Sequence, residues 1–364
     1  MTHHADDVPG PGYDGALEPT IRQARTTDGV SIAWTSVGAG PPLILMPGVP
    51  FSNVAAEWRI PLLRGAYERL AQDVRLIQYD GRGSGHSQRD VDDFSLDAMV
   101  RDLEAVVAAA GLVRYTLLGF YHSCTTAIAA AARRPDEVRG LILFGGAARG
   151  WTALSGPGIQ ALLSLIDRDW NTFAESIAHA WLGWEAGAEG ELAAEGFRTA
   201  TTPAVARATM EAASEVDVSA EAAAVRCPAL ILHRSEATVI PLEASSELVR
   251  LLPNGRLQVL EGSSATLFFE GTDEVIDTIV RFVTGRGGSR AAAPAATTGE
   301  GSALTPRERD VLRLVAAGET NAEIGRRLGV TINTVERHVA NLYRKIDARG
   351  RADATAYAIR NGLA

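Results

Sequence analysis

The chain has 364 residues, of which 46% are apolar, enough for a large buried core and for two or three domains. Its formal net charge is −9, which excludes a uniformly basic nucleic-acid-coating protein. Two cysteines, Cys124 and Cys227, exclude a disulfide-framed secreted scaffold, and no apolar run reaches membrane-spanning length.

Residues 1–17 are predicted to be a disordered tail, because they are polar and rich in glycine and proline. His3 and His4 fall in this mobile tail, so they are not interpreted as a metal site. The start also lacks the basic and apolar regions of a signal peptide. We therefore expect a cytoplasmic protein without membrane contact, and no cofactor or metal is predicted.

Apolar strands and helices alternate over the next 270 residues. Short apolar runs predict strands at 30–36, 42–46, 74–79, 115–119, 139–144, 229–233 and 256–260. Helical periodicity predicts helices near 94–110, 122–133, 241–252 and 272–283. Buried strands separated by helices favour an α/β fold, with a mostly parallel, doubly wound sheet covered on both faces.

An Ala-rich helical insertion over about 150–225 interrupts this alternation, as a cap domain would. It contains four of the six tryptophans of the chain: Trp151, Trp170, Trp181 and Trp184. Their rings either line a pocket or pack the core of the cap itself.

Five motifs in order make residues 18–285 resemble the α/β-hydrolase family. They are "PLILMPG", "YDGRGSGHS", "LLGFYHSCTTAIAAAARRP", "CPALILHRSEATVIP" and "LPNGRLQVLEGSSATLFFE". The resemblance implies an oxyanion loop, a strand–elbow–helix that carries a nucleophile, and later acid and histidine segments. The fold expected is thus an α/β-hydrolase-like sheet with a helical cap.

The same resemblance implies that all three catalytic positions are substituted. The small-x-nucleophile-x-small elbow aligns with Gly119–Ser123, which puts Tyr121 in the nucleophile position. The acid position is Ala237, and alignment of Gly262 and Glu270 puts Ala265 in the histidine position. We therefore predict that no catalytic residues are present, because an ordinary phenol is a poor nucleophile and loss of one triad member already costs ~10⁴ in rate.

Several residues could substitute for the missing groups. Ser123 and Cys124 follow the elbow, and His122 is a candidate base with Glu236 as the nearest acid. His86 and His179 would reach the cleft only through loop and cap geometry, whereas His233, at a strand end, is interpreted as a structural histidine.

A small apolar organic ligand is expected to bind the cleft between sheet and cap. Tyr121 would offer its hydroxyl at the floor, and main-chain N–H groups of His122 and of Gly48 or Val49 would bind a ligand oxygen. The candidate ligand residues are Gly48, Val49, Tyr121, His122, Trp151, Trp170, Trp181 and Trp184.

Residues 286–303 contain only small, glycine, proline and polar residues plus charges, and are predicted to be a flexible linker. Charge changes sign here. Residues 286–364 hold 13 Arg and Lys against 8 Asp and Glu, a net of +5, whereas residues 1–285 hold 22 against 36, a net of −14. The basic end is the part suited to approach DNA.

Residues 304–364 form a block of four predicted helices. Thr305 with Glu308 and Thr320 with Glu323 have the spacing of capping boxes. In the third helix, Val335, Val339, Leu342 and Ile346 form an apolar stripe. The opposite stripe is rich in amides and guanidinium groups, which can contact base edges and phosphates in a major groove.

"LTPRERDVL", "NAEI" and "TVERHV" make this block resemble the LuxR-type helix-turn-helix family along its whole length. The resemblance implies an all-α DNA-binding domain with a recognition helix over about 332–346 and a last helix, about 352–361, that pairs two copies. Glu336 departs from the cation common in the family, so the base preference does not transfer. The candidate DNA contacts are Asn333, Thr334, Arg337, His338, Asn341, Arg344 and Lys345.

Taken together, the sequence predicts a ligand-responsive regulator that binds double-stranded operator DNA as a homodimer through its C-terminal domain. Its hydrolase-like part would be a non-catalytic sensor. Two alternatives are a hydrolase with relocated catalytic groups fused to the DNA-binding domain, and a hydrolase-like dimerisation module without a ligand.

Overall fold

The computed structural model describes residues 19–48, 50–150, 157–182, 187–237, 240–285, 306–316 and 319–328, and single residues of the C-terminal block (335, 338, 339, 342, 345, 354, 357 and 358). The chain divides into two compact units, residues 1–289 and 290–364. The division falls inside the 286–303 segment predicted as a linker, whose own structure lies outside the described residues. The two units are described separately below.

One eight-stranded sheet organises the first unit. Its strands are β1 Arg22–Arg25, β2 Ser31–Val37, β3 Pro42–Leu45, β4 Arg75–Tyr79, β5 Tyr115–Phe120, β6 Val138–Phe144, β7 Ala229–Arg234 and β8 Gly255–Leu260. The seven strands predicted from the sequence are all present, and no strand end differs from its prediction by more than one residue. β1 was not predicted, because only one of its four residues is buried and it carries no apolar run.

The strands lie in the order β1-β2-β4-β3-β5-β6-β7-β8. β2 pairs antiparallel with β1 and β4, and every other pairing is parallel. The predicted α/β fold with a mostly parallel sheet is therefore confirmed. Because parallel strands all end at one edge, the turns after β3, β5, β6, β7 and β8 gather there, and this edge is where a site is expected.

Both faces of the sheet are buried, which explains why its strands read as continuous apolar runs. Successive residues of each central strand enter two different cores. One core contains Ile44, Ile77, Leu117, Leu141 and Ile231; the other contains Leu43, Leu76, Leu118, Ile142 and Leu230.

The helices of this unit that flank the sheet are α1 Val54–Glu57, α2 Pro61–Leu70, α3 Leu96–Ala109, α4 Ser123–Arg133, α10 Leu242–Leu251 and α11 Thr272–Thr284. α3, α4, α10 and α11 were predicted. α1 and α2 were not, since α1 is a single turn and α2 has Pro61 at its start and Gly65 in its interior.

Five helices lie between β6 and β7, where the sequence predicts a cap. They are α5 Pro157–Leu163, α6 Trp170–Leu182, α7 Gly187–Ala200, α8 Pro203–Ser214 and α9 Ser219–Ala224. The cap has its own small core, in which Ile166, Phe173, Ile177 and Met210 pack with Phe51 from below.

The second unit contains α12 Pro306–Ala316 and α13 Asn321–Leu328. The capping box predicted at α13 is present: the Glu323 carboxylate accepts the Thr320 N–H at 2.7 Å, and the Thr320 hydroxyl accepts the Glu323 N–H at 3.4 Å. Thr305, the other predicted cap, lies outside the described residues. A buried core contains Val311, Leu312, Val315, Ile324, Val335, Leu342, Ala354 and Ala358.

Within the described part of both units, no helix is long and apolar enough to cross a membrane.

Candidate functional site

Tyr121 occupies a strained turn between β5 and α4. Its φ of +49° is in the left-handed region, and no other non-glycine residue among those described has a positive φ. Such a conformation costs on the order of 1–3 kcal/mol and must be enforced by its surroundings. Here the Tyr121 N–H donates to the Phe144 carbonyl at 2.9 Å, which fixes the turn against β6. Tyr121 therefore stands at the elbow, where the sequence alignment places it.

The elbow is crowded on both sides. A Cβ at Gly119 would lie 3.1 Å from the Cα of Cys124, and one at Gly145 would lie 3.0 Å from the Tyr121 ring. Ser123 fills the other small position, and its hydroxyl is hydrogen-bonded to the Phe120 main chain at 3.0 Å (N–H) and 2.9 Å (carbonyl). The close approach of Cys124 therefore requires a residue without a side chain at Gly119. The hydroxyl of Ser123 is held by hydrogen bonds to the main chain of Phe120.

The Tyr121 side chain points across the cleft. Its hydroxyl donates to the Ala265 carbonyl at 2.5 Å, and its ring meets Phe144 edge-on at 5.9 Å. Burial raises the pKa of Tyr121 above its ordinary value of 10.0. The phenol is therefore neutral near pH 7, and its proton is directed at a main-chain carbonyl.

Ala265 lies in a tight loop built around Gly262 and Glu270. Gly262 has φ +102°, and a Cβ there would lie 2.1 Å from the Glu270 carboxylate. That carboxylate accepts the N–H groups of Ser263 at 3.0 Å and Ser264 at 3.1 Å. The Gly262–Glu270 pairing supports the predicted alignment, which places Ala265 in the histidine position.

Arg234 stabilises the loop around Ala265 by donating three hydrogen bonds to main-chain carbonyls. Its buried guanidinium donates to the carbonyls of Glu261 at 2.8 Å and Leu267 at 3.1 Å, and also to that of Glu270. Ala237 lies in the turn that follows, with its N–H on the Arg234 carbonyl at 3.2 Å. The neighbouring Glu236 is exposed, so it provides no buried acid for this cleft.

The candidate substitute bases all lie away from the cleft. His233 is buried, with Nδ1 2.9 Å from the Ser245 hydroxyl, as expected for a structural histidine. His179 Nδ1 is 2.8 Å from the Glu175 carbonyl, and His86 Nδ1 is 3.6 Å from the Asp80 carboxylate. None of these rings lines the cavity described below.

His122 and Cys124 are also buried within the protein. Burial lowers the pKa of His122 to about 4, so its ring is neutral at pH 7. His122 is absent from the cavity lining, so its ring does not face the cavity as a base would; the binding of a ligand oxygen by its main-chain N–H stays a prediction. Burial raises the pKa of the Cys124 thiol, and its Sγ lies 3.8 Å from the Phe144 carbonyl. A buried, protonated thiol is a packing group and not a nucleophile.

A cavity lies above the elbow, between the sheet edge and the cap. Its volume is about 110 Å³. One water needs ~10–15 Å³ by that measure, so the cavity has room for a small organic molecule. The lining is Leu45, Gly48, Phe51, Glu57, Ile60, Leu63, Tyr67, Phe120, Tyr121, Phe144, Ala193, Phe197, Ala265, Thr266, Leu267, Phe268 and Phe269.

Two of the predicted ligand residues, Gly48 and Tyr121, are in this lining. Trp170 is not, which corrects the sequence-based assignment. Its ring stacks on Phe173 at 5.4 Å and its indole N–H donates to the Arg198 carbonyl at 3.3 Å, so it packs in the core of the cap. Val49, Trp151 and Trp184, and the side chain of Trp181, lie outside the described residues.

Glu57 and Tyr67 were not found by sequence reasoning. Glu57 ends the one-turn helix α1, and Tyr67 lies in α2 and donates its hydroxyl to the Glu57 carboxylate at 2.8 Å. Burial raises the pKa of Glu57 to about 7, although part of its surface is open to the cavity. No sequence motif includes Glu57 or Tyr67. The only signal that could have identified them is a predicted helix over residues 54–70, and that helix was not predicted.

In the second unit, three residues of the apolar stripe predicted for the third helix are described, and all three are at least partly buried. Val335 and Leu342 are fully buried and Val339 is partly buried. Of the predicted DNA contacts, Asn333, Thr334, Arg337, Asn341 and Arg344 lie outside the described residues, and His338 is partly buried.

Lys345 has a partner inside the unit. Its ammonium lies 2.8 Å from the carboxylate of Glu308, a buried residue of α12. Its role as a phosphate contact therefore stays a prediction, and the ion pair gives it a second role in joining two helices.

Comparison with known proteins places the first unit. Residues 41–272 match the family described as alpha/beta hydrolase fold. N-formylmaleamate deformylase from Pseudomonas putida is 29% identical over 249 residues, which is 65% of this chain and 86% of that protein. The structure of the esterase RhEst1 from Rhodococcus sp. superposes with a TM-score of 0.63 at 23% identity, covering 72% of this chain and 98% of the esterase.

The C-terminal unit matches a second family. Residues 302–358 match the bacterial regulatory proteins of the luxR family. The transcriptional regulatory protein LiaR of Bacillus subtilis is 48% identical over 60 residues, 16% of this chain, and the match spans only 28% of the length of LiaR. The chain thus belongs to the alpha/beta hydrolase fold family, and it carries a luxR-family helix-turn-helix domain at its C-terminal end.

Proposed function

We propose that the hydrolase unit is a non-catalytic sensor that binds a small, largely apolar organic molecule and thereby controls DNA binding by the luxR-family domain. The observation that carries this proposal is the contact between Tyr121 and Ala265. At the elbow stands a neutral phenol, and the position facing it offers a carbonyl oxygen in place of a base. This pair can bind and orient a ligand, but it has no group that accepts a proton from a nucleophile.

The rest of the cleft supports the absence of catalysis. Ala237 and the exposed Glu236 provide no buried acid, and the hydroxyl of Ser123 is bound to the Phe120 main chain. Loss of a single triad member can cost ~10⁴ in rate. A site that has lost all three retains only binding and main-chain dipoles.

The cavity favours a sensor over a dimerisation module without a ligand. A cleft that served only as scaffold would be filled by side chains, since voids cost stability. Here an apolar space remains above a rigid floor, with a few polar groups in its wall, as in small-molecule sites generally.

Control of DNA binding would proceed by population shift. A homodimer presents two DNA-reading domains to two half-sites of an operator, and a ligand that binds one dimer arrangement more tightly raises its population. The ligand acts only through that difference in affinity. We place this protein in the cytoplasm, where operator DNA is accessible.

The sensor proposal is tested with the full-length protein and an operator selected from random DNA. Compounds that raise its melting temperature are then titrated against operator binding in a fluorescence anisotropy assay. We expect at least one such compound to change the operator Kd fivefold or more. If compounds that bind the cavity leave the operator Kd unchanged, the sensor proposal is wrong.

Turnover of p-nitrophenyl acetate tests the hydrolase alternative. We expect no hydrolysis above the buffer rate, and the same result for the Ser123→Ala and Cys124→Ala variants. Steady turnover that disappears in either variant would establish an enzyme with relocated catalytic groups and would overturn the non-catalytic assignment.

A further inference from the structure

One acidic side chain stands in a cavity wall whose other described side chains carry no charge and are mostly apolar or aromatic. Glu57 is the single titratable carboxyl among the described residues that line the cavity, and no Lys, Arg or His joins it there. It takes no part in the elbow, the loop around Ala265 or the cap core. A carboxyl exposed to an apolar cavity is unfavourable unless something there interacts with it.

Burial disfavours the ionised form of Glu57, and two hydrogen bonds offset part of that cost. The hydroxyl of Tyr67, 97% buried, donates to its carboxylate at 2.8 Å, and the start of α1 contributes a main-chain hydrogen bond at Asn53. Both donors favour a carboxylate over a protonated acid, which would need an acceptor instead. What the cavity wall does not provide is a positive charge.

No cation offsets the charge of Glu57 among the described residues that line the cavity or that shift its pKa. α2 contributes Tyr67, and the turn after β4 contributes the buried Asp80 carboxylate, whose negative charge raises the pKa of Glu57 further. α7 and the loop after β8 contribute only uncharged side chains to this wall, including Phe197, Thr266 and Phe268. A Glu57 carboxylate therefore has no positively charged partner among the described residues of this wall.

Aromatic faces supply a second feature suited to a cation. The lining includes Phe51, Phe120, Phe197, Phe268 and Phe269, and Phe51 and Phe197 have ring centroids 5.0 Å apart. The face of an aromatic ring attracts a cation, and the attraction is stronger when water is excluded. The same rings bury an apolar body.

We propose that the ligand of this cavity is an organic amine: an apolar or aromatic body whose protonated nitrogen pairs with the Glu57 carboxylate. This inference rests on the sensor function proposed above and specifies the chemical class of its ligand. A neutral alcohol or ester of the same shape would fill the aromatic part but leave the carboxylate without a counter-ion. Carboxylic acids would be repelled.

The test compares probes that differ in one group. Binding of 2-phenylethylamine, 2-phenylethanol and 3-phenylpropanoate to the full-length protein is measured by calorimetry at pH 8. We expect the amine to bind at least about tenfold more tightly than the alcohol, and the acid not to bind. Glu57→Gln keeps the shape and an acceptor for Tyr67, and it should abolish the preference for the amine. Glu68→Gln, a surface acid of α2 paired with Arg64, is the matched control and should change nothing.

The pH dependence provides a readout that does not depend on a variant. The Glu57 pKa of about 7 means that the carboxylate forms as the pH rises from 6 to 8, while the amine stays protonated. Its ionised fraction then increases roughly tenfold, so the affinity for the amine should rise by about that factor. The affinity for the alcohol should not rise, and in Glu57→Gln both should be flat.

The outcomes separate this inference from the sensor proposal. If the alcohol binds as tightly as the amine and changes operator affinity, the amine assignment is wrong and the sensor proposal stands. If the amine binds with the expected pH profile but operator affinity does not respond to it, the amine site is supported and the sensor proposal is wrong. An amine affinity unchanged by Glu57→Gln overturns the inference.

Discussion

Tyr121 occupies the elbow position that the resemblance to the α/β-hydrolase family assigns to a nucleophile. The turn forces a left-handed backbone, so its occupant is projected into the cleft whatever its chemistry. A serine there would present a small hydroxyl, whereas a tyrosine fills the floor and reaches the Ala265 carbonyl 144 residues later in the chain. The hydrogen bond joins the elbow to the loop that carries the histidine position.

Tyr121→Phe tests this contact directly. The change removes the hydroxyl and leaves the Ala265 carbonyl unbonded on the cavity side, which should lower the free energy of unfolding by about 1 kcal/mol. Urea unfolding followed by tryptophan fluorescence measures it, because all six tryptophans lie in the first unit.

Tyr115→Phe is the matched control, at the start of the strand β5 that leads to Tyr121. Its hydroxyl lies 3.5 Å from the Glu137 carboxylate, at the limit of hydrogen bonding, so its removal should cost less. Equal effects of both substitutions would show that the Tyr121–Ala265 contact contributes nothing particular.

At the scale of single residues, sequence reasoning identified the positions at which the backbone leaves no room for a larger side chain. The elbow residues and the Gly262–Glu270 pair were found because side chains cannot be accommodated beside them. Trp170 was misassigned, because an aromatic ring packs a core or lines a pocket equally well. Glu57 was missed, because its importance arises from what surrounds it in space and not from its neighbours in the chain.

At the scale of elements, strands and long helices were predictable, and short connecting helices were not. The central strands are apolar on both faces, which leaves a continuous signal in the sequence. α1 has only four residues, and its position depends on Asp80, whose carboxylate accepts the Val54 N–H at 2.7 Å. Such a tertiary contact has no local pattern, and for this reason the part of the cavity wall formed by Glu57, Ile60, Leu63 and Tyr67 was not foreseen.

The ion pair of Glu308 and Lys345 gives an element-scale prediction for the DNA-binding unit. Glu308 is 6% exposed and the Lys345 side chain 23% exposed. Lys345→Met should leave a buried charge without its cation and destabilise α12 on the order of 2 kcal/mol, less than the ~3–5 kcal/mol of a fully buried pair. Hydrogen exchange of α12 amides in the full-length protein measures this loss.

Glu308→Gln combined with Lys345→Met should restore part of the protection, because the buried charge is then gone. Operator binding at several salt concentrations separates the two roles of Lys345. A phosphate contact would reduce the slope of log K against log salt by about 1. Unchanged protection of α12 with a reduced slope would make Lys345 a DNA contact and not a structural residue.

At the scale of the whole molecule, charge and composition predicted which part of the chain approaches DNA and where the linker lies. The net charge of −14 before residue 286 disfavours approach of the first unit to DNA, whereas the net of +5 after it favours approach of the second. The division into units at residues 289 and 290 falls where composition predicts a linker. How a signal passes between the units could not be predicted, because coupling depends on the energies of alternative arrangements and not on the residues of either unit alone.

Coupling between amine binding and operator binding must be reciprocal. If an amine changes the affinity for operator DNA by some factor, then saturating operator must change the affinity for the amine by the same factor. With a fivefold effect, the Kd of 2-phenylethylamine measured by calorimetry should shift about fivefold when operator is present, in the direction set by the first experiment. Glu57→Gln should show neither shift. An operator effect without the matching ligand effect would mean that the amine acts on DNA binding from a site other than this cavity.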